Sequence, residues 1–251
     1  MTALQTTSDA FEVTAARGGC PIVLVCEHAS NHVPGDLKDL GVGPDVLKSH
    51  VAWDPGALGV ARVMADRLGA SLVASRISRL VYDCNRPPDA PDAIPERSEI
   101  HEVPGNRSLT AAERNIRVAR VYEPFHAALA AELAGHTAPV MVTIHSFTPV
   151  YDGQVRDVEI GILHDADARL ADAILDVADH HRPQRNAPYG PEHGVTHTLK
   201  RHALAVGALN VMVEIRNDLI DGAAAQRRMA EMLCDWLSRA LATLGVTACK
   251  A

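Results

Sequence analysis

Three apolar runs of this 251-residue sequence lead into a histidine or a carboxylate, the residue types that bind metal ions and transfer protons. His28 and His145 close two of these runs, and Glu214 interrupts a third at 209–215. Two histidines and a glutamate brought to one edge of a sheet are the components of a catalytic zinc site, in which three protein ligands leave a fourth position open. The pattern therefore indicates a metal-dependent hydrolase.

Each of these residues also has an ordinary structural interpretation. His28 or His145 could occupy a polar turn after a strand, and Glu214 could pair with Arg216. Burying an ionisable carboxylate without a partner is costly, which favours a polar site around Glu214. Asp54 precedes a proline and is typical of a helix N-cap by residue type alone.

The elements that would position these residues alternate between strands and helices. The predicted strands cover residues 11–14, 22–26, 72–75, 79–84, 140–145, 158–163 and a segment ending at 215. The predicted helices cover residues 44–51, 57–68, 110–133 (with an interruption at Pro124), 167–180 and 222–244. This alternation predicts an α/β fold with a mostly parallel or mixed sheet. In open α/β sheets, ligands bind beyond the carboxyl ends of the strands, where His28, His145 and Glu214 would lie.

One long irregular segment, 85–108, contains several prolines and is predicted to be a binding loop or lid. No shift in composition marks a domain boundary. We therefore expect residues 1–251 to form a single hydrolase domain, with a polar lead-in over residues 1–20.

Composition and motifs exclude several classes of function. A net charge of −7 with no basic stripe argues against nucleic-acid binding. The sequence has no GxSxG, P-loop or GxGxxG motif at a strand-to-helix junction, so serine hydrolase and nucleotide-binding interpretations lack support. No basic-then-apolar leader and no run of about 18 apolar residues occurs, so we expect a cytoplasmic protein that does not enter a membrane.

Four segments in sequence order resemble the N-formylglutamate amidohydrolase family, and the resemblance covers roughly residues 20 to 245. The segments are 26–34 (CEHASNHVP), 50–57 (HVAWDPGA), 78–86 (SRLVYDCNR) and 144–149 (IHSFTP). That family is similar in fold to zinc carboxypeptidases and zinc-dependent cell-wall amidases. The resemblance implies a three-layer, phosphorylase/hydrolase-like α/β/α sandwich that holds one zinc ion.

The resemblance also implies roles for individual residues. His28, Asp54 and His145 match the metal ligands of cell-wall amidases, and Glu214 matches their catalytic glutamate. Asn85 and the adjacent Arg86 resemble the Asn-Arg pair with which zinc carboxypeptidases bind a substrate carboxylate.

The sequence departs from these patterns at the first histidine. Its context is Glu-His-Ala-Ser-Asn instead of His-x-x-Glu, so Asn31 occupies the position where a second ligand would be expected. Glu27 is a rival to Asp54 as the acidic ligand. Asn31 and His50 are further candidates for supporting or rival positions.

The implied reaction is hydrolysis of a small N-acyl amino acid, N-formyl-L-glutamate above all, to formate and L-glutamate. Glu214 would take a proton from water and pass it to the leaving amine. Zinc, with Arg86 or Arg79, would stabilise the oxyanion. Asn85 with Arg86 would hold one substrate carboxylate, and Arg107 a second.

The family places this reaction in histidine degradation. A related zinc peptidase or amidase, and a catalytically idle α/β binding protein, remain as alternatives. The sequence does not predict an oligomeric state.

Overall fold

A mixed sheet of eight strands forms the centre of the protein, for which a computed structural model describes residues 5–246. The strands are β1 (Gln5–Thr7), β2 (Phe11–Thr14), β3 (Ile22–Cys26), β4 (Ser71–Ser75), β5 (Arg97–Ser98), β6 (His101–Glu102), β7 (Val140–Phe147), β8 (Val150–Tyr151), β9 (Gln154–Val155), β10 (Ile160–Leu163), β11 (Gln184–Arg185) and β12 (Leu209–Arg216). The α-helices are α1 (Pro44–Lys48), α2 (Ala57–Leu68), α3 (Ala111–Arg117), α4 (Glu123–Ala134), α5 (Arg169–Val177) and α6 (Ala223–Thr243).

The sheet order is β1-β2-β4-β3-β7-β12-β10-β11. The four central strands, β4, β3, β7 and β12, run parallel, whereas β2 and β10 flank them in the antiparallel direction. Two small hairpins, β5–β6 and β8–β9, lie outside this sheet. Because the central strands are parallel, their carboxyl ends meet at one edge, as a site at that edge requires.

Apolar residues on both faces of the sheet hold the three layers together. Val142 and Val213 belong to a buried cluster with α2, α5 and α6, while Met141 and Met212, one position earlier in the same strands, belong to a cluster with α4. Burying one such side chain contributes about 1.5–3 kcal/mol. The predicted three-layer α/β/α sandwich with a mixed sheet is confirmed.

The prediction of a strand at residues 79–84 is wrong. This segment is buried, but its backbone amides bond to loops instead of a neighbouring strand: Arg79 N donates to Ala52 O at 3.2 Å and Asp83 N donates to Ala93 O at 2.8 Å. Its apolar residues fill the core beneath the α4 face, which produces a strand-like pattern without a ladder.

The helix expected at 110–133 exists as two α-helices joined by a π-helical segment, Val118–Tyr122. The expected capping box at Thr110 is present, with Glu113 N donating to the Thr110 hydroxyl at 3.2 Å. Pro124 lies at the start of α4, so the extra residue in the π turn accommodates it. Within residues 5–246, no helix is both long enough and apolar enough to cross a membrane.

Candidate active site

Four predicted site residues come from the carboxyl edge of the parallel strands. His28 follows β3, and His145 and Glu214 lie near the ends of β7 and β12, where they are direct register partners. Adjacent strands place paired residues on the same face of a sheet, so these two side chains lie side by side. Asp54 lies in the loop before α2, and its backbone amide donates to His28 O at 2.9 Å.

Asp54 does not cap α2. The N-cap position is Gly56, with a φ of 83° that favours glycine, and no side chain caps this helix. The Asp54 carboxylate turns instead toward the two histidines, and Ser146 N donates to its Oδ2 at 3.2 Å.

Three ligand-type atoms converge at the centre of the site. Asp54 Oδ2 lies 3.3 Å from His28 Nδ1 and 2.9 Å from His145 Nδ1, and the two Nδ1 atoms are 3.2 Å apart. All three residues are buried. Tetrahedral zinc with bonds of 2.0–2.2 Å would separate its ligand atoms by roughly 3.3 Å, so this triangle has nearly the size that zinc requires.

The outer nitrogen of each histidine faces a second carboxylate. His28 Nε2 bonds to Asp83 Oδ1 at 2.7 Å, and His145 Nε2 lies 3.0 Å from Glu27 Oε2. Such carboxylates favour a proton on Nε2 and leave the Nδ1 lone pair facing inward, as metal-bound histidines require. When both imidazoles carry their proton on Nε2, the two Nδ1 lone pairs and the Asp54 carboxylate oxygen face one another, and a cation between them would stabilise this arrangement. The donor set therefore fits a divalent metal.

The electrostatics of the cluster also favour positive charge. Burial lowers the pKa of His145, but the Glu27 and Asp54 carboxylates outweigh burial and hold this pKa well above its usual range. Burial raises the pKa of Asp83, yet His28 and Arg79 reverse this and hold it well below its usual range. Burial likewise raises the pKa of Glu27, but His145 and His28 outweigh burial and lower it. The Glu27 and Asp83 carboxylates are therefore ionised at neutral pH and stabilise a cation nearby.

Glu214 has the opposite character. It is 6% exposed, and within residues 5–246 its carboxylate has no hydrogen-bond or ion-pair partner. Burial therefore raises the pKa of Glu214 to about 7. A carboxylate with this pKa can both accept and release a proton near neutrality, which is the requirement for a general acid–base group.

A cavity of about 180 Å³ opens over these residues. Its lining comprises His28, His50, Val51, Asp54, Arg79, Asn85, Arg86, Ser98, His145, Ser146, Phe147, Thr148, Tyr151, Tyr189, Val195 and Glu214. Glu99, next to the lining residue Ser98, joins two segments that contribute to this lining: its carboxylate lies 2.9 Å from His50 Nε2 and accepts a 2.9 Å bond from Asp152 N at the tip of the β8–β9 hairpin. We call this connection the Glu99 bridge.

The predicted substrate-binding arginines lie in different surroundings. Arg79 lines the cavity and donates to Asp83 at 2.7 Å. Arg86 also lines it, with Nε 2.7 Å from the Asp92 carboxylate. Arg107 is not part of the lining; it is more than half exposed and donates to Glu102 at 2.7 Å.

The remaining predicted residues are also engaged with protein groups. The Asn85 side chain donates to Val195 O and accepts from Thr198, although Asn85 still borders the cavity. Asn31 donates to Leu47 O at 2.9 Å and does not line the cavity. Glu27 lies on the outer side of the His145 ring, so Asp54, and not Glu27, completes the group of three.

Sequence reasoning missed Asp83 and the aromatic wall of Phe147, Tyr151 and Tyr189. Asp83 carried a usable signal, since it is a carboxylate within an apolar run, as Glu214 is. The aromatic wall comes from segments distant in sequence, and no local pattern connects them.

The fold and the residues at its sheet edge define an α/β/α enzyme of the hydrolase type. A sequence model described as "N-formylglutamate amidohydrolase" matches residues 20–221. The chain therefore belongs to the N-formylglutamate amidohydrolase family, as the four segments predicted, and to the hydrolases that act on amides.

Two solved structures resemble the protein over nearly its whole length. The gene product Atu2144 from Agrobacterium tumefaciens is 51% identical, with a TM-score of 0.92, and the alignment covers 95% of this chain and 97% of that one. An N-formylglutamate amidohydrolase from Ralstonia eutropha is 22% identical, with a TM-score of 0.65 and coverage of 95% and 100%, and it supports the fold. No curated protein matches the chain significantly.

Proposed function

We propose that this protein is a zinc-dependent amidohydrolase that cleaves a small N-acyl amino acid, N-formyl-L-glutamate above all, to formate and L-glutamate. The observation that carries the proposal is the convergence of His28 Nδ1, His145 Nδ1 and Asp54 Oδ2, with Asp83 and Glu27 facing the outer nitrogens. Family membership supports the reaction class.

His28, Asp54 and His145 would hold the metal. A zinc ion bound there would supply Lewis-acid chemistry, polarising an amide carbonyl and acidifying a water molecule. Asp83 and Glu27 would keep the two imidazoles in the correct tautomer and orientation. Removing such carboxylates typically weakens metal binding by about 10–100-fold.

Glu214 would act as the general base and then as the general acid. Two observations support this role: Glu214 is the register partner of His145, and within residues 5–246 its carboxylate has no hydrogen-bond or ion-pair partner, so both oxygens are available to water. It would accept a proton from the attacking water and deliver it to the nitrogen of the leaving amine.

Arg79 and Arg86 would bind negative charge on the substrate. Arg79 Nη1 lies 3.5 Å from Asp54 Oδ1, beside the group that would hold the metal, and this supports a role for Arg79 at the carbonyl oxygen of the amide. In Arg86, Nε and Nη1 have protein partners, which leaves Nη2 to donate to the substrate α-carboxylate next to Asn85.

The direct test is formate release from N-formyl-L-glutamate by purified protein, before and after chelation, together with zinc content by elemental analysis. We expect equimolar zinc and release that stops on chelation and returns with zinc. Release from the zinc-loaded protein that persists after complete chelation would refute the metal requirement. A zinc-loaded protein without release would refute this substrate and turn the search to other N-acyl amino acids.

The Glu214→Gln variant separates chemistry from metal binding. We expect unchanged zinc content and a turnover lower by about 10²–10⁴-fold, the usual contribution of general acid–base catalysis. Turnover equal to that of the wild type would remove Glu214 from the mechanism. The place in histidine degradation remains a prediction from family resemblance, and the cytoplasmic location remains a prediction from the sequence analysis.

A further inference from the structure

Arg156 is a cation beside the cavity that lacks an internal carboxylate. Within residues 5–246 no carboxylate oxygen lies within ion-pair distance of its half-buried guanidinium. Its Cζ atom lies instead over three aromatic rings of the cavity wall, with centroid distances of 4.6 Å to Tyr151, 4.8 Å to Tyr189 and 5.6 Å to Phe147. Cation–π contacts hold a guanidinium in place without neutralising its charge.

The other candidate arginines differ in this respect. Arg79, Arg86 and Arg107 each form an ion pair of 2.7 Å with an aspartate or glutamate of the protein. A guanidinium paired with a carboxylate must share its donors and its charge with that partner, whereas Arg156 contacts only neutral groups, among them Thr148 O at 3.5 Å from Nη1 and the Tyr189 side chain. Its positive charge is therefore available to a ligand.

The backbone of Arg156 is fixed on both sides. Arg156 N donates to Pro149 O at 2.8 Å, and Arg216 Nη1 donates to Arg156 O at 3.1 Å. Arg216 ends β12, the strand that carries Glu214. The Arg156 backbone is thus tied to the segment that follows β7 and to the end of β12, which preorganises its side chain for binding.

We propose that Arg156 binds the side-chain carboxylate of an N-acylated acidic amino acid. This inference rests on the proposed function, because it assigns Arg156 to the substrate carboxylate that lies farthest from the proposed metal centre. His145 and Phe147 lie on the same face of β7, two residues and about 7 Å apart along the strand. The amide carbon and the side-chain carboxylate carbon of an extended N-formyl-glutamate are roughly 6 Å apart by standard bond lengths. A substrate at the metal centre would therefore reach Arg156 beside Phe147.

The expected signature is a change in selectivity. Losing a charge-assisted hydrogen bond should lower kcat/KM for N-formyl-L-glutamate by about 10- to 100-fold in Arg156→Gln. N-formyl-L-glutamine, which has a neutral amide at the same place, should lose less than about 3-fold. Arg156→Lys should retain part of the preference, because it keeps the charge without the planar donor edge.

The experiment compares zinc-loaded wild type, Arg156→Gln and Arg156→Lys on both substrates. Arg169→Gln is the matched control, since Arg169 is exposed and paired with Asp167 at 2.7 Å. Calorimetric titration with L-glutamate and L-glutamine gives a second readout that does not depend on turnover. A merely structural role for Arg156 would lower activity and binding for both members of each pair equally.

The outcomes separate this inference from the proposed function. Formate release by the wild type with unchanged selectivity in Arg156→Gln would overturn the role of Arg156 and leave the reaction standing. No release by the wild type, but tighter binding of L-glutamate than of L-glutamine that Arg156→Gln abolishes, would support the carboxylate site and refute the reaction. Equal binding of both amino acids by the wild type would overturn the carboxylate site.

Discussion

The unpaired, buried Glu214 should make the metal-free protein less stable as the pH rises. Its pKa is raised from 4.5 to about 7 in the folded protein, so the folded state holds its proton more tightly than the unfolded state. The resulting stabilisation is fully present below about pH 4.5 and is lost as the pH rises through about 7. The shift corresponds to about 3 kcal/mol of unfolding free energy.

Glu214→Gln isolates this contribution, because glutamine has a similar shape and no charge. The assay is denaturant unfolding of chelator-treated wild type and variant, measured from about pH 4.5 to about pH 8. We expect the unfolding free energy of the wild type, minus that of the variant, to fall by about 3 kcal/mol across this range. The histidines titrate in both proteins, so the subtraction removes most of their contribution.

Two curves that stay parallel across this range would refute the reasoning, since they would show that Glu214 is not strained by burial of its charge. Glu231→Gln is the matched control. Glu231 is exposed on α6 and pairs with Arg67 at 3.0 Å, so its loss should cost less than about 1 kcal/mol.

Two further predictions concern the residues that support the proposed metal ligands. Asp83→Asn should weaken zinc binding by about 10–100-fold in a chelator competition, because it removes the charge facing His28. The control variant, Asp92→Asn, should leave zinc affinity unchanged. Equal zinc affinity in the two variants would contradict a role for Asp83 in supporting His28. Gly56→Ala should destabilise the protein by about 1–3 kcal/mol in thermal unfolding, because Gly56 has a φ of 83° and an added Cβ would lie 2.8 Å from Ile220 O. In Gly35→Ala the added Cβ meets no atom within 4 Å, so this variant should be nearly neutral, and similar losses in the two glycine variants would contradict this account.

The positions of the site residues could be predicted where a strand end determined them. His145 and Glu214 follow from strands of a parallel sheet, whose carboxyl ends necessarily share an edge. The predicted roles of Asp54 and Asn85 depended on family resemblance. For Asp54 the reason is that a sequence alone cannot show whether an aspartate caps a helix or turns away from it. The structure shows that Asp54 turns away, because Gly56 takes the N-cap position.

Other parts of the site depend on contacts between distant segments. The run 79–84 resembles a strand because it is buried, and burial alone does not reveal whether its amides bond to a strand or to loops. Arg156, directly after the β8–β9 hairpin, meets the aromatic wall of the cavity only through the folded chain, and Tyr189 comes to that wall from the loop after β11. Their meeting is set by tertiary packing, on which the local sequence carries no information.

The Glu99 bridge would make the protein select its substrates by their length. It joins His50 to the β8–β9 hairpin, two elements that border a cavity of about 180 Å³, and Glu99 itself has a left-handed φ of 51°. Glu99→Ala should raise activity on an N-formylglutamyl dipeptide relative to free N-formyl-L-glutamate, and an unchanged ratio would place the limit on length elsewhere. Because His50 and Tyr151 both line the cavity, we expect the bridge to admit a free acyl amino acid and to hinder an acylated residue still attached to a polymer. Within a family of amide hydrolases, a single loop-to-loop contact would then decide whether the site serves a metabolite or the end of a chain.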